Sequence, residues 1–217
     1  MSLITLTNPR SPVSEAYRTL RTNLSFYSLD NPIHTLVIAS PTPKENSAET
    51  AANLAVTMAQ SGLRTILVDC DLRRPTLHTY FEKQVAPGLT HTLLDESVTL
   101  HLQPTAVENL SLLTAGNQPP NPADLLGSKR MDQVLDQLKA ESDIVLFCAP
   151  PITAVTDATV LGSKVDGFLL VVQAGQTKRD QAQRAQEILQ TANVRIVGVT
   201  LTNAPKDNSM GGYYSEE

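Results

Sequence analysis

The alternation of apolar and polar positions divides the chain into short strand-like runs separated by longer stretches with helical spacing. The predicted strands are Thr35–Ser40, Thr65–Asp69, Leu110–Thr114, Asp143–Cys148, Gly167–Val172 and Arg195–Asn203. The predicted helices between them lie near Ala48–Ser61, Ser128–Ala140, Ala154–Gly162 and Lys178–Thr191. Strands that alternate with helices are typical of βαβ units, whose crossovers are right-handed. The pattern predicts an α/β fold with a doubly wound, mostly parallel sheet, and ligands at the carboxyl ends of its strands.

An additional helix is predicted before the first strand. Residues Pro12–Tyr27 follow Ser11, a residue type that caps helices, and they begin with proline, which is favoured at the first helical position. The sequence Asp30-Asn31-Pro32, typical of a turn, comes soon after this helix. We predict one domain over residues 1–204 and a flexible tail over residues 205–217, where the sequence has no apolar face to bury.

The composition fits a sheet covered by helices and excludes several classes of protein. Aromatic residues make up only 4% and tryptophan is absent, so the core must be mainly aliphatic. A net charge of -5 argues against a nucleic-acid partner. Two cysteines are too few for a disulfide framework, and no apolar run approaches the roughly 20 residues of a membrane span. The sequence alone predicts a cytoplasmic domain, or the soluble part of a longer membrane protein.

The segment with the most chemical information is the end of the second predicted strand. The apolar run ends in Asp69 and Asp71, which are followed by Arg73, Arg74 and Pro75. A buried strand that delivers two carboxylates to its carboxyl end suits a metal ion, or a polyphosphate together with its metal. Taken alone the signal is weak, because acidic residues at strand ends are often helix caps.

This acidic segment resembles the second acidic motif of the bacterial tyrosine kinases (BY-kinases), P-loop proteins that govern capsule and exopolysaccharide export. Four further segments match that family in order and spacing: Ser11–Leu24, Asn53–Ala55, Pro119–Leu126, and Ala149–Ile152 followed by Asp157. The resemblance covers nearly the whole chain. It implies a sheet of the P-loop NTPase type and Mg-ATP as the cofactor of active members. It also implies a place at the inner face of the cell membrane, through a membrane-spanning polysaccharide co-polymerase adaptor or an N-terminal membrane part of the same protein.

The phosphate-binding loop departs from the family's motif. That motif reads Ser-x-x-Pro-Gly-x-Gly-Lys-Ser/Thr, and its glycines let the backbone wrap phosphates while the lysine and hydroxyl serve phosphate charge and magnesium. The preceding strand and the later Asn53–Ala55 segment fix the register here. Lys44 and Asn46 then take the glycine positions, Ser47 the lysine position and Ala48 the hydroxyl position. The former nucleotide-binding residues are then Pro43, Lys44, Glu45, Asn46, Ser47, Ala48 and Arg73.

A shifted register is the alternative reading of this loop. It would make Lys44 the phosphate-binding lysine, but it needs a gap and still lacks the glycines. Glu49 adds a negative charge to the first turn of the following helix. That charge is favourable for the helix dipole, but it competes with phosphate for the same amides.

The third acidic motif departs as well. The family's strand ends in Asp-x-Pro-Pro, whereas Cys148 precedes Ala149-Pro150-Pro151 here, and a neutral thiol cannot replace the carboxylate that holds a magnesium-bound water. Removing one preorganised electrostatic group typically costs roughly 3 kcal/mol of transition-state stabilisation. With three such groups absent, we expect no intact catalytic residue and no metal ligand. Asp69, Asp71 and Cys148 are then vestigial, as is Ala48 at the former magnesium position.

Three functional hypotheses follow. The first is a degenerate BY-kinase without catalysis or cofactor that serves as an assembly or regulatory subunit in exopolysaccharide or capsule biosynthesis. The second is an ATP-dependent tyrosine autokinase with weak activity through Asp69, Asp71 and Arg73. The third is a partitioning-type ATPase, which would carry a lysine early in the loop, where this chain has Thr42.

A charged stripe on the opening helix is the candidate assembly surface. Glu15, Arg18 and Arg21 match the family's Glu-x-x-Arg-x-x-Arg motif, which by resemblance packs on a neighbouring subunit in ring assembly. The alternative is a solvated helix face, on which the Glu15–Arg18 pair adds only about 0.2–0.5 kcal/mol. The assembly reading predicts a homo- or hetero-oligomer.

Two further pairs of side chains have two readings each. Tyr213 and Tyr214 resemble the C-terminal tyrosine cluster that BY-kinases phosphorylate on a neighbour, but a Gly-Gly-Tyr-Tyr tail also fits plain disorder. Cys70 and Cys148 both end predicted strands near the site. They are either a redox pair or, as is far commoner, buried inert cysteines.

Overall fold

A computed structural model describes residues 2–29, 31–95 and 97–204. Its strands are β1 (Thr35–Ala39), β2 (Thr65–Asp69), β3 (Gln103–Pro104), β4 (Leu110–Leu113), β5 (Ile144–Cys148), β6 (Gly167–Gln173) and β7 (Ile196–Thr202). Its helices are α1 (Ile4–Thr7), α2 (Pro12–Tyr27), α3 (Ser47–Gln60), α4 (Leu77–Tyr80), α5 (Leu89–Leu94), α6 (Pro122–Gly127), α7 (Lys129–Glu141), α8 (Asp157–Gly162) and α9 (Arg179–Thr191).

The strands form one sheet in the order β3-β4-β2-β5-β1-β6-β7. The ladders are parallel except for the short β3, which runs antiparallel to β4. Strands β1, β2 and β5 are buried along their whole length, because helices cover both faces of the sheet. This arrangement is the predicted doubly wound, mostly parallel α/β sheet.

Two apolar clusters, one on each face of the sheet, form the core. Alternate residues of β2 point to opposite faces, so that Leu67 joins the cluster under α3 while Val68 joins the cluster under α7. Helices α2, α3 and α4 contribute to the first cluster, which we call the α3 face. Helices α5 to α9 contribute to the second, the α7 face.

The connections that leave β1 and β5 position the candidate site. These two strands are neighbours, but the chain after β1 enters α3 on one face, whereas the chain after β5 enters α8 on the other. Adjacent parallel strands whose connections diverge leave a crevice at their carboxyl ends, and ligands of doubly wound folds bind there. The fold therefore opens a crevice between β1 and β5.

The sequence placed the main elements well and missed the short ones. All six predicted strands are present with ends shifted by at most one residue, and α2 has its predicted bounds, with the N–H of Ser14 donating to Oγ of Ser11 (3.1 Å). The helix expected from Ala154 was wrong at its start. It begins at Asp157, because the N–H groups of Ala154 and Val155 both donate to the Pro151 carbonyl in a turn. The short α1, α4, α5, α6 and β3 carry too few residues for a periodic signal.

Two boundary predictions stay open. Nothing in the structure tests a single domain over residues 1–204, and the proposed tail at 205–217 lies outside the described residues. Among residues 2–29, 31–95 and 97–204, no helix combines the length and the apolar character that crossing a membrane requires.

Candidate functional site

A cleft of about 470 Å³ opens at the carboxyl ends of β1, β2 and β5. Three loops line it, and we call them the first loop (residues 40–46), the second loop (residues 70–76) and the third loop (residues 149–156). The start of α3 and the ring of Tyr80 complete the lining. The cleft therefore lies where the fold predicts a ligand site, and it contains most of the residues that the sequence singled out.

The first loop has an unusual backbone for a phosphate-binding loop. Asn46, at the second glycine position, has φ -86°, and Lys44 is not among the residues with positive φ. Both side chains are exposed, and Lys44 does not contribute to the lining of the cleft. Ser47 and Ala48 occupy the first two positions of α3 and line the cleft. The start of α3 thus presents a hydroxyl and a methyl group to the cleft.

Glu45 points inward between these two exposed neighbours, with only 6% of its surface exposed. The N–H of Thr42 donates to Oε2 of Glu45 (3.1 Å), and the Thr42 hydroxyl lies 2.8 and 3.0 Å from the two carboxylate oxygens. The hydroxyl of Thr177, which follows β6, donates to Oε1 (2.8 Å). The carboxylate therefore closes the first loop on itself and ties it to a second segment.

Asp69 at the end of β2 organises the second loop. Its carboxylate accepts hydrogen bonds from the N–H groups of Thr76 and Leu77 (both 3.0 Å) and of Asp71 (3.2 Å). Leu77 is the first residue of α4, so the carboxylate also satisfies N–H groups at the start of that helix. Burial raises the pKa of Asp69 to about 7, with the nearby Asp71 adding to the shift and the three amides opposing it. A carboxylate with these contacts holds the loop together whether or not a ligand is present.

Asp71 and Arg73 are likewise held by the protein itself. The carboxylate of Asp71 accepts from the N–H groups of Arg73 (3.3 Å) and Arg74 (2.9 Å), and burial raises its pKa. Arg73 donates through Nε and Nη2 to both oxygens of the fully buried Asp157 (3.0 and 3.1 Å), and this pairing raises its pKa. The bidentate pair joins the second loop to α8. The pair uses two of the five N–H groups of Arg73, whose partly exposed side chain also lines the cleft.

The two cysteines lie on different faces of the sheet. Cys148 belongs to the core cluster of the α3 face and lines the cleft at 3% exposure, whereas Cys70 belongs to the cluster of the α7 face. Burial, reinforced by Asp69, raises the pKa of both thiols well above the ordinary value. Both are free, and this placement favours the reading as buried inert cysteines over the redox pair.

Two positions of the lining do not fit a magnesium nucleotide. Magnesium prefers oxygen ligands, and the expected positions hold the methyl group of Ala48 and the protonated thiol of Cys148. Within residues 2–29, 31–95 and 97–204, no group of three or more His, Cys, Asp or Glu side chains could hold a metal ion. Carboxylates line the cleft at Glu45 and Glu49 beside the start of α3, where a phosphate would bind. The lining thus sets these carboxylates and the departures at Ala48 and Cys148 against the carboxylate of Asp71 and the guanidinium groups of Arg73 and Arg74.

Several contacts of the site were not predicted from the sequence. Thr177 lies 132 residues from Glu45, and Tyr80, whose pKa burial raises to about 12, lies on a helix too short to predict. Asn53, fully buried on α3, accepts through Oδ1 from the N–H and hydroxyl of Thr5 (3.1 and 2.8 Å). The segment around Asn53 was recognised by resemblance alone, and its contact with α1 had no signal in the sequence.

The charged stripe of α2 lies partly exposed on the protein surface. Arg18 forms an ion pair with Glu15, with 30% and 43% of their side chains exposed, and Nη1 of Arg21 donates to the carbonyl of Thr57 on α3 (3.1 Å). The three residues thus lie along one helix, but the structure of one chain does not test their role in assembly. Tyr213 and Tyr214 lie outside the described residues.

Comparisons with known proteins agree with the fold and the motifs. No family model matches the chain. The tyrosine-protein kinase YwqD of Bacillus subtilis is 42% identical over 215 residues, which cover 98% of this chain and 91% of that protein. The crystal structure of the chimerical protein CapA2B2 is 34% identical with a TM-score of 0.89, covering 94% of this chain and 90% of that one.

The kinase domain of the Escherichia coli tyrosine kinase ETK is similar to the same extent. It is 31% identical with a TM-score of 0.90, and the match covers 96% of this chain and 82% of that domain. The three matches thus cover 94–98% of this chain and 82–91% of the matched proteins. The chain belongs to the family of bacterial tyrosine-protein kinases.

Proposed function

We propose that this chain is a non-catalytic member of its family that acts as an assembly or regulatory subunit in exopolysaccharide or capsule production. The first loop carries the proposal. Lys44 and Asn46 stand at the glycine positions, and Ser47 and Ala48 stand where the lysine and the magnesium-binding hydroxyl belong. Cys148 supports it independently, since a buried protonated thiol replaces the carboxylate of the third acidic motif.

The proposal includes partners and a location. By its family resemblance the chain would work at the inner face of the cell membrane with a membrane-spanning polysaccharide co-polymerase adaptor, or joined to a membrane part of the same protein. It would assemble as a homo- or hetero-oligomer through Glu15, Arg18 and Arg21. Its net charge of -5 gives no support to a nucleic-acid partner. Tyr213 and Tyr214 would be phosphate acceptors for an active relative.

Calorimetric titration with Mg-ATP tests the loss of nucleotide binding. We expect a dissociation constant no tighter than about millimolar, roughly -4 kcal/mol, because Ser47 stands at the position of the phosphate-binding lysine and the glycines are absent. The matched control is a repaired loop with Lys44→Gly, Asn46→Gly, Ser47→Lys and Ala48→Thr. Its glycines free the backbone to face phosphates and its lysine restores the positive charge, so it should bind Mg-ATP at micromolar concentration. Micromolar binding by the unchanged chain would contradict the proposal.

A fifth substitution separates binding from catalysis. The repaired loop should bind Mg-ATP but phosphorylate tyrosine slowly, and adding Cys148→Asp should raise that rate because the magnesium and its water gain a carboxylate. Phosphotyrosine is measured after incubation with Mg-ATP. If the four-fold variant already matches the five-fold variant, the role assigned to the missing carboxylate is wrong.

The enzymatic alternatives predict other results in the same assays. A weakly active tyrosine autokinase would accumulate phosphotyrosine in the unchanged chain, through Asp69, Asp71 and Arg73. These three residues support the autokinase alternative less than their motif suggests, since all three are engaged in contacts within the protein. A partitioning-type ATPase is not favoured, since Thr42 stands where its early lysine belongs and is bonded to Glu45.

A further inference from the structure

Glu45 is a buried carboxylate whose contacts span two distant parts of the chain. It lies at 6% exposure between the exposed Lys44 and Asn46, so the loop turns this side chain inward while its two neighbours face solvent. No ion pair in the described residues involves it. A buried carboxylate is stable only if hydrogen-bond donors satisfy it. Here those donors are neutral groups of Thr42 and Thr177.

The contact with Thr177 continues into the backbone that follows β6. The Thr177 hydroxyl donates to Glu45 and at the same time accepts from the N–H of Gln173 (2.8 Å), the last residue of β6. The N–H of Thr177 donates to the carbonyl of Gln173 (2.9 Å), which closes the turn before α9. Since β1 and β6 are neighbouring parallel strands, Glu45 joins the loops that follow these two strands.

The opposite side of the first loop is also attached. The N–H and hydroxyl of Thr153 both donate to the carbonyl of Pro41 (3.1 and 2.7 Å), and the N–H of Ile152 donates to the carbonyl of Ser40 (3.0 Å). These bonds join the first loop to the third loop, which follows β5. The first loop is thus bound on one side to the segment after β5 and on the other, through Glu45, to the segment after β6.

We propose that Glu45 is an internal clamp that fixes the loops at the carboxyl edge of the sheet without a bound ligand. Hydrogen bonds to a carboxylate are stronger than those between neutral groups, so one buried side chain suffices to order both segments. This inference rests on these contacts alone and does not depend on whether the chain binds nucleotide. Its consequence is that residues 41–47 and 173–178 open together and not as independent loops.

Hydrogen–deuterium exchange on the full chain tests this coupling. Glu45→Ala should raise amide exchange about ten-fold in residues 41–47 and also in residues 173–178, because both lose the carboxylate that orders them. The matched control is Glu49→Gln, which neutralises a neighbouring carboxylate of the same cleft whose side chain accepts from Nδ2 of Asn46. It should leave residues 173–178 unchanged.

A second variant tests the same contact from the side of Thr177. Thr177→Val removes the hydroxyl that donates to Glu45, and we expect exchange to rise in residues 41–47, far away in the sequence. The double variant should resemble Glu45→Ala alone in residues 41–47, since both substitutions remove one interaction. The proposal is overturned if Glu45→Ala affects only residues 41–47, or if Thr177→Val leaves that segment unchanged. Should Glu45→Ala not fold, the result of Thr177→Val decides.

Discussion

The first and second loops both line the cleft, and they relate differently to the motifs of the family. The second loop matches its motif, and each matched residue has a bond within the protein: Asp69 to the start of α4, Asp71 to its own turn, and Arg73 to the buried Asp157. The first loop departs from its motif, and the residues at the glycine positions, Lys44 and Asn46, are exposed.

This difference shows what a matched motif is worth as evidence of activity. Asp69 and Arg73 each bond other parts of the fold, so their presence is explained without a nucleotide. The glycines, lysine and hydroxyl of a phosphate loop serve the phosphate itself, and the departures fall at those positions. The first loop is therefore the better guide to function, and the matched acidic segment is mainly a guide to family and fold. The following predictions test the folding roles assigned to each region.

The largest expected effect concerns Asp69 and pH. Its pKa in the folded protein is about 7, above the ordinary 3.8. Between these values the folded protein keeps a proton that the unfolded chain has released. The contribution of Asp69 is therefore fully present below pH 3.8 and is lost as pH rises to 7. The unfolding free energy should fall by about 1.4 kcal/mol per pH unit, roughly 4 kcal/mol over the window.

Denaturant unfolding from pH 4 to pH 8 gives the unfolding free energy of the unchanged chain and of Asp69→Asn. The difference between the two values isolates the contribution of residue 69. Asp143, whose pKa Arg64 lowers at the other end of the sheet, provides the control. Asp143→Asn should give a difference that stays flat from pH 4 to pH 8, because a lowered pKa keeps the contribution of Asp143 constant above the ordinary 3.8 and loses it only below that value. A difference for Asp69→Asn that is equally flat across the range would contradict the raised pKa of this buried carboxyl group.

The second prediction concerns the bond between the second loop and α8. Arg73→Ala leaves the carboxylate of Asp157 buried without its partner, and we expect the unfolding free energy to fall by about 2–3 kcal/mol. The figure lies below that of a fully buried pair because water reaches the 38% exposed side chain of Arg73. Adding Asp157→Asn should recover part of the loss. The neighbouring Arg74→Ala is the control. An equal loss of unfolding free energy for both arginines would contradict the role assigned to the Arg73–Asp157 pair.

The third prediction tests how the first loop is attached. Thr153→Val keeps the shape of the side chain but removes the hydroxyl that donates to Pro41, while the N–H of residue 153 still donates to the same carbonyl. We expect a cost of about 1 kcal/mol, typical of one neutral hydrogen bond. Thr191→Val on the surface of α9 is the matched control, because its hydroxyl also donates to a backbone carbonyl, that of Glu187. A loss of unfolding free energy for Thr153→Val as large as that for Arg73→Ala would contradict the expectation that one neutral hydrogen bond holds the first loop less strongly than the ion pair holds the second loop.

The sequence predicted much of the fold and less of the site. Periodicity found the buried strands because β1, β2 and β5 are continuous apolar runs, and the register of the first loop followed from fixed points on both sides. The bond between Glu45 and Thr177 had no signal, since it joins residues 132 positions apart through neutral donors. The pairing of Arg73 with Asp157 was equally hidden, although both residues were recognised as motif positions, because a motif does not state whether its charges face a ligand or each other.

The smallest expected effect on stability comes from the charged stripe of α2, which extends the comparison to a third region. The Glu15–Arg18 pair is partly exposed, and such a pair within a helix contributes only about 0.2–0.5 kcal/mol. Arg18→Glu should lower the unfolding free energy by about 0.5 kcal/mol, since it places a like charge beside Glu15. Folding therefore does not account for Arg18, in contrast to Asp69 and Arg73, whereas Arg21 of the same stripe bonds to α3. If the stripe is an assembly surface, the same substitution should lower the mass measured by light scattering, while Arg184→Glu on the exposed side of α9 should not. A loss of stability above about 2 kcal/mol would instead place Arg18 among the residues that hold the fold. An unchanged mass, alone and with an active relative, would leave the stripe a solvated face.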